Sequence, residues 1–205
     1  MSAFIFCCDT ETSGLPIFDK PSDDPRQPFI VTLGLLLIDA ETLEEITAKE
    51  LLLRPPAGRE IPTEATKIHG ITTERAVADG TDPTEAMIAY ADYRRRCAAL
   101  LGHNVQFDQR MCRIELLRTG KDKPWIEALE ASSPVYCTQK LSTPVLKLEP
   151  TARMKAVGRN HFKSASLKDC IRGFFDEDVE GAHGALADCR SAARVFRHLR
   201  GLGHV

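Results

Sequence analysis

The sequence predicts a single α/β domain spanning its 205 residues. Three observations lead there. Apolar runs that read as strands come first, segments of helical period follow, and each helix carries one apolar stripe that needs a sheet to cover it. No repeat and no linker interrupts the chain. A composition of 43% hydrophobic and 27% charged residues suits a globular protein with one sizeable core.

The first strand is Phe4-Ile-Phe-Cys-Cys8, running into Asp9-Thr-Glu11-Thr-Ser-Gly14. Prolines at 16, 21, 25 and 28 then mark residues 15–28 as an irregular loop. Phe29 to Ile38 is nearly all apolar, as expected of a strand buried on both faces. A polar turn leads to a third strand over Ile46–Leu53, closed by Arg54-Pro-Pro. Strands this close in sequence pair most simply as an antiparallel meander.

From there the period changes. Pro62–Ile68 suits one or two helical turns, stopped at His69-Gly70. Asp82-Pro83-Thr-Glu85 places a capping acid, a first-turn proline and a glutamate before a helix over 83–98. Ala98–Gly102 reads as a short strand, and Asn104 as the cap of a helix to Thr119 with Phe107, Met111, Ile114 and Leu117 as its buried stripe. Val135-Tyr-Cys137 suits an edge strand. Residues 142–165 carry Lys147, Arg153, Lys155, Arg159 and Lys163 without clear period, which reads as a basic loop. Ser166-Leu-Lys-Asp169 has the form of a capping box opening a helix. A last helix over 184–200 buries Leu186, Cys189, Ala193, Phe196 and Leu199.

Several classes are set aside. No run approaches the roughly 18 apolar residues of a membrane span, and no basic, apolar leader opens the chain. The seven cysteines are odd in number and lack a C-x-x-C pair, so buried free thiols in a reducing cytoplasm are expected rather than disulfides or zinc. A net charge of −2 leaves room only for a local basic patch, not a surface that coats nucleic acid.

Chemistry concentrates in the carboxylates. Asp9 and Glu11 stand two residues apart on a strand and therefore share a face. Two carboxylates so close repel unless a proton or a cation lies between them. A plain strand ending in a polar turn reads the same way on this stretch alone. Asp108 and Asp188 lie in the first turns of two helices, where an acid also suits the helix dipole. His183 falls on the glycine-flanked approach to the last helix, where a near-neutral pKa would suit a general base.

Together these residues form an ordered set: Asp9-Thr-Glu11-Thr-Ser-Gly14, Ile68-His-Gly-Ile-Thr72, His103-Asn-Val-Gln-Phe-Asp108 and His183-Gly-Ala-Leu-Ala-Asp188. The sequence resembles the DEDDh exonucleases, the 3′→5′ family that includes the proofreading subunit of bacterial replicative polymerases, over roughly residues 4–197. The resemblance implies an RNase H-like fold, with a five-stranded mixed sheet flanked by helices. It implies two divalent ions, Mg²⁺ or Mn²⁺, held by Asp9, Glu11, Asp108 and Asp188, with His183 as the base. It further implies that Thr10 and Thr12 contact the terminal nucleotide, that the His69 turn lines its pocket, and that Asn104 and Phe107 support the scissile nucleotide.

The sequence departs from the proofreading subunits at Thr32, where they often carry Glu, and at Cys137-Thr138, where they carry Asp-Thr. With no extension beyond residue 205 to bind a polymerase, a stand-alone enzyme acting on a DNA 3′ end is the expectation. An exoribonuclease of the RNase T or oligoribonuclease branches is the alternative. A catalytically idle nucleic-acid-binding module is the remote one, disfavoured because all four acids and the histidine are present.

Overall fold

The sheet is built outward from β1, Phe4–Thr12, in a computed structural model that describes residues 3–178 and 184–205. β2 (Ile30–Asp39) pairs antiparallel with β1, and β3 (Glu45–Leu52) pairs antiparallel with β2, the expected meander. β4 (Ala99–Gly102) adds in parallel on the other side of β1, and β5 (Val135–Cys137) adds in parallel to β4. The order is β3-β2-β1-β4-β5, a five-stranded mixed sheet with Val135–Cys137 at its edge, as expected.

Alternation along β1 divides the core. Phe6 and Cys8 face one side with Leu33 and Leu35, under α3 (Pro83–Arg96), α4 (Gln106–Arg118) and α5 (Lys123–Glu130). Ile5 and Cys7 face the other with Leu36 and Ile38, under α9 (Ala185–Gly201) through Cys189, Ala192 and Phe196. Phe6 is fully buried and meets Tyr90 edge-on at 5.7 Å between ring centroids. Burying a side chain of that size contributes about 1.5–3 kcal/mol. Cys7 and Cys189 donate their thiols to each other's main-chain carbonyls at 3.4 and 3.7 Å, fastening α9 to the centre of the sheet. All seven cysteines are buried free thiols.

α1 (Thr63–His69) and α2 (Thr73–Asp79) pack on the start of β2 through Ala65, Ile71 and Ala76. α8 (Leu167–Phe175) opens with the expected capping box, Ser166 and Asp169 each accepting from the other's backbone. Three local expectations need correction. Residues 142–165 are not one loop: α6 (Thr138–Leu146) runs into them and α7 (Ala152–Ala156) lies within. α6 has no readable stripe because its buried positions are polar, Thr138 and Ser142, and Pro144 stands inside it. Asn104 caps nothing with its side chain; it takes a left-handed turn at φ 56° and its carbonyl accepts from Phe107 N–H. Short asparagine side chains tolerate that conformation. The buried face of α4 is also wider than the expected apolar stripe, since Asp108 and Glu115 are buried along with Met111 and Ile114.

The irregular 15–28 loop is pinned from within. Gln27 is fully buried; its amide oxygen accepts from Ile17 N–H, and its nitrogen donates to the carbonyls of Ile17, Lys20 and Pro21. Arg110 of α4 donates to the Ile17 and Lys20 carbonyls as well. Among the described residues, no helix is long and apolar enough to cross a membrane. Gln27→Ala leaves one buried donor and several carbonyls short of partners, so a loss of about 1–3 kcal/mol is expected, measured as a lower urea midpoint at unchanged slope.

Candidate active site

The site assembles where β1 ends. Asp9 and Glu11 point to the face that α9 covers, and Asp188 rises from the first turn of that helix, its N–H bonded to Gly184 O. One carboxylate oxygen each from Asp9, Glu11 and Asp188 lie within 4.8 Å of one another. Asp108 enters from α4, which covers the opposite face, and stands outside that 4.8 Å cluster. Thr10 holds it: both its N–H and its hydroxyl donate to Asp108 Oδ1, at 2.9 and 2.8 Å. Thr10 lies on the alternate side of the strand from Asp9 and Glu11, so a single tripeptide addresses both helices.

Burial, followed by the negative charges of Asp108, Asp188 and Glu11, pushes the Asp9 carboxyl well above its usual range. Burial also lifts Asp108 to about 7, against the opposing pull of the two Thr10 hydrogen bonds and with Glu11 adding to the rise. Carboxyl groups perturbed this way, gathered where two helices meet a strand end, mark a functional site. Among the described residues the donor set is all oxygen, with no Cys or His in the cluster. Such a set suits a hard divalent cation of the Mg²⁺ or Mn²⁺ type, whose charge would offset the repulsion that raises Asp9.

The other expected residues are placed as follows. Thr10 is buried with its hydroxyl engaged on Asp108. Thr12 donates its hydroxyl to Gly14 O just past the strand. His69 is buried at the end of α1, where Gly70 closes the helix at φ 75°. Its Nδ1 accepts from Ile71 N–H at 3.2 Å, and burial lowers its pKa. The ring is therefore neutral with its proton on Nε2, which has no partner among the described residues. Asn104 is exposed at its turn, and Phe107 is partly buried against the α4 side of the core. His183 lies outside the described residues.

The head of the second motif, His103, has a structural role that the motif did not assign. His103 precedes Asn104 and bridges three segments, with Nε2 donating to Ala165 O at 3.0 Å and Nδ1 meeting Thr138 Oγ1 at 2.9 Å. Burial lowers its pKa to about 4, so it is a neutral brace at the end of β4 that seats α4's first turn. Its adjacency to Asn104 was the available signal.

The Asp108 shift has a sign that can be checked. A carboxyl raised from 3.8 to about 7 in the fold keeps a proton that the unfolded chain has released. Its contribution to stability is full below the ordinary value and declines as pH rises through about 7; Asp9 shifts in the same direction. The metal-free protein is expected to melt several degrees lower at about pH 8 than at about pH 5.5. Added Mn²⁺ should restore most of the difference, and Asp108→Asn should flatten the slope.

The family model described as an exonuclease of the RNase T type matches residues 6–196. No curated protein sequence gives a significant match. Among solved structures, Exonuclease I from Methylocaldum szegediense superposes with a TM-score of 0.71 at 22% identity, covering 97% of this chain and 40% of that one. Escherichia coli Exonuclease I with a dT13 oligonucleotide superposes with a TM-score of 0.73 at 16% identity, covering 96% and 40%. A product-bound exonuclease I gives 0.72 at 16% identity, covering 98% and 44%. The chain thus spans less than half the length of the solved structures it matches, and at these identities the likeness speaks for the fold. With the family model running over nearly the whole chain, and with the carboxylates of its motifs gathered at one strand end, the protein belongs to the DEDDh 3′→5′ exonuclease family.

Proposed function

We propose that this chain hydrolyses phosphodiester bonds at the 3′ end of DNA, releasing nucleoside 5′-monophosphates in a reaction that depends on two divalent metal ions. The observation that carries the reading is the oxygen cluster of Asp9, Glu11 and Asp188 with Asp108 beside it. A nucleic-acid end is itself anionic, and buried carboxylates would repel it. Only with cations among them does this site attract a phosphate.

In this reading Asp9, Glu11, Asp108 and Asp188 hold the two ions, Mg²⁺ or Mn²⁺. Divalent ions bound there supply neutralisation of the charge that develops on the phosphate and activation of the attacking water. The chain's own residues supply position and proton transfer. Asp9 and Glu11 stand on a strand with apolar neighbours on both sides, which fixes the pair. Thr10 keeps Asp108 turned toward them. His183, five residues before Asp188 in sequence, takes the proton from the attacking water as general base. Thr12, at the rim of the strand end, contacts the terminal nucleotide, and the turn at His69 lines its pocket. Asn104 and Phe107, on the turn that leads to Asp108, support the nucleotide being cut.

The DNA preference draws on the Exonuclease I structures, which include complexes with dT13 and dA16 oligonucleotides. Lys147, Arg153 and Arg159, around α7, give a basic surface suited to tracking a backbone by charge.

Asp9→Ala and Asp188→Ala are expected to abolish metal-dependent hydrolysis while the far-ultraviolet circular dichroism stays native. Unimpaired cleavage by either pure variant would remove the carboxylates from the mechanism. His183→Ala should slow turnover by about 10²-fold or more, and a rate unchanged across neutral pH would exclude it as the base. Matched single-stranded DNA, duplex DNA and RNA, each labelled at the 5′ end and digested with Mg²⁺ or Mn²⁺, test substrate and polarity together. Faster shortening of RNA than of DNA would overturn the DNA assignment.

A further inference from the structure

Asp9 is the first member of a row that runs across three strands. It pairs with Gly34 of β2, and Gly34 pairs with Glu50 of β3. Residues directly opposite in neighbouring strands share a face, so all three positions look toward α9. The middle one is empty by design of the sequence. A Cβ at Gly34 would stand 2.6 Å from the Ala185 carbonyl carbon and oxygen and 2.8 Å from Leu186 N. The glycine is there for space: its missing side chain lets the first turn of α9 rest on the sheet backbone to backbone, one strand away from Asp9.

That first turn has no cap of its own. Gly184 occupies the capping position and offers no side chain, and the opening N–H groups of a helix have no partner within it. Glu50 supplies one from 136 residues away, its Oε1 accepting from Leu186 N–H at 2.9 Å. A carboxylate at a helix start gains both a charge-assisted hydrogen bond and the favourable end of the helix dipole. Asp188 stands two residues further along the same turn. The rest of α9 is fastened elsewhere, by Arg190 to Glu45 and by the Cys7–Cys189 contacts, so what Glu50 governs is the end that carries the carboxylate.

We propose that Glu50 is a positioning residue for the carboxylate cluster: it caps α9 across the sheet and, with the gap at Gly34, sets where Asp188 stands relative to Asp9. The inference rests on the reading of Asp9 and Asp188 as ligands to the metal ions. Glu50 is linked to the cluster through Leu186 N–H. It is exposed at the sheet surface, so its removal leaves the core intact.

The test compares Glu50→Ala, which loses the acceptor, with Glu50→Gln, which keeps one, and with Asp188→Ala as control. Three readouts are taken on the full chain: amide hydrogen exchange at Leu186, Mn²⁺ affinity by calorimetry without substrate, and kcat with KM on single-stranded DNA. Losing a typical cap corresponds to about a fivefold change in a local equilibrium. Glu50→Ala should therefore exchange Leu186 about fivefold faster, and bind Mn²⁺ and turn over several-fold less well, at unchanged KM and with a melting temperature near native. Glu50→Gln should recover most of the loss. Native Mn²⁺ affinity in Glu50→Ala, or a Gln variant as impaired as the Ala one, overturns the capping role. If Asp188→Ala is inactive while Glu50→Ala is native, the positioning role alone fails. If Asp188→Ala is fully active, the metal-site reading fails and takes the positioning role with it.

Discussion

Like charges held together at the end of one strand are the constraint around which this protein is arranged. Asp9, Glu11 and Asp188 offer oxygens within 4.8 Å of one another, and Asp108 is close enough that its charge raises Asp9 further. Such a cluster costs free energy in the metal-free fold, and the surrounding packing has to bear it. The apolar residues of β1 bear most of it. Phe6, Cys7 and Cys8 are buried between two helical layers, so the strand end cannot relax away from the charges it carries.

The two helices that bring the other acids are held differently. α4 is governed from inside the site, because Thr10 of the same strand donates twice to Asp108. The neutral His103 brace, tied to Thr138 and Ala165, fixes the turn that precedes it. α9 is governed from the sheet surface, by the space left at Gly34 and the cap lent by Glu50. Asp108 is thus oriented by hydrogen bonds from β1, and the helix that carries Asp188 is placed by contacts with the sheet. In the proposed reading, these contacts would limit the reorganisation that cation binding requires.

The irregular segment next to the site follows the same logic. Residues 15–28 lack regular structure, yet the buried amide of Gln27 and the guanidinium of Arg110 satisfy several of their carbonyls. A second buried group, Glu115, accepts from Ile30 N–H while paired with Arg118, which also donates to the carbonyls of Gln27 and Pro28. The loop that leaves the strand of Asp9 and Glu11 is thereby tied to α4, the helix that carries Asp108. It leaves Leu15 and Phe18 exposed beside the strand end.

Much of this was legible from residue order alone. The alternating and continuous apolar runs placed β1 to β4 within a residue or two, cap residues located α3 and α8, and an apolar stripe located α9. The motif acids were found because their order and spacing resemble a known family. α2, α5 and α7 were missed, being short, and α6 because it buries polar residues and contains Pro144. What the sequence by itself determined is local: period, caps, and which acids sit at strand and helix ends. The tertiary structure alone decided that Thr10 holds Asp108, 98 residues away, and that Glu50 caps α9 beside the gap at Gly34. Such contacts join groups far apart in the chain through hydrogen bonds and close approach, and neither leaves a periodic or capping signature near the residues that make it.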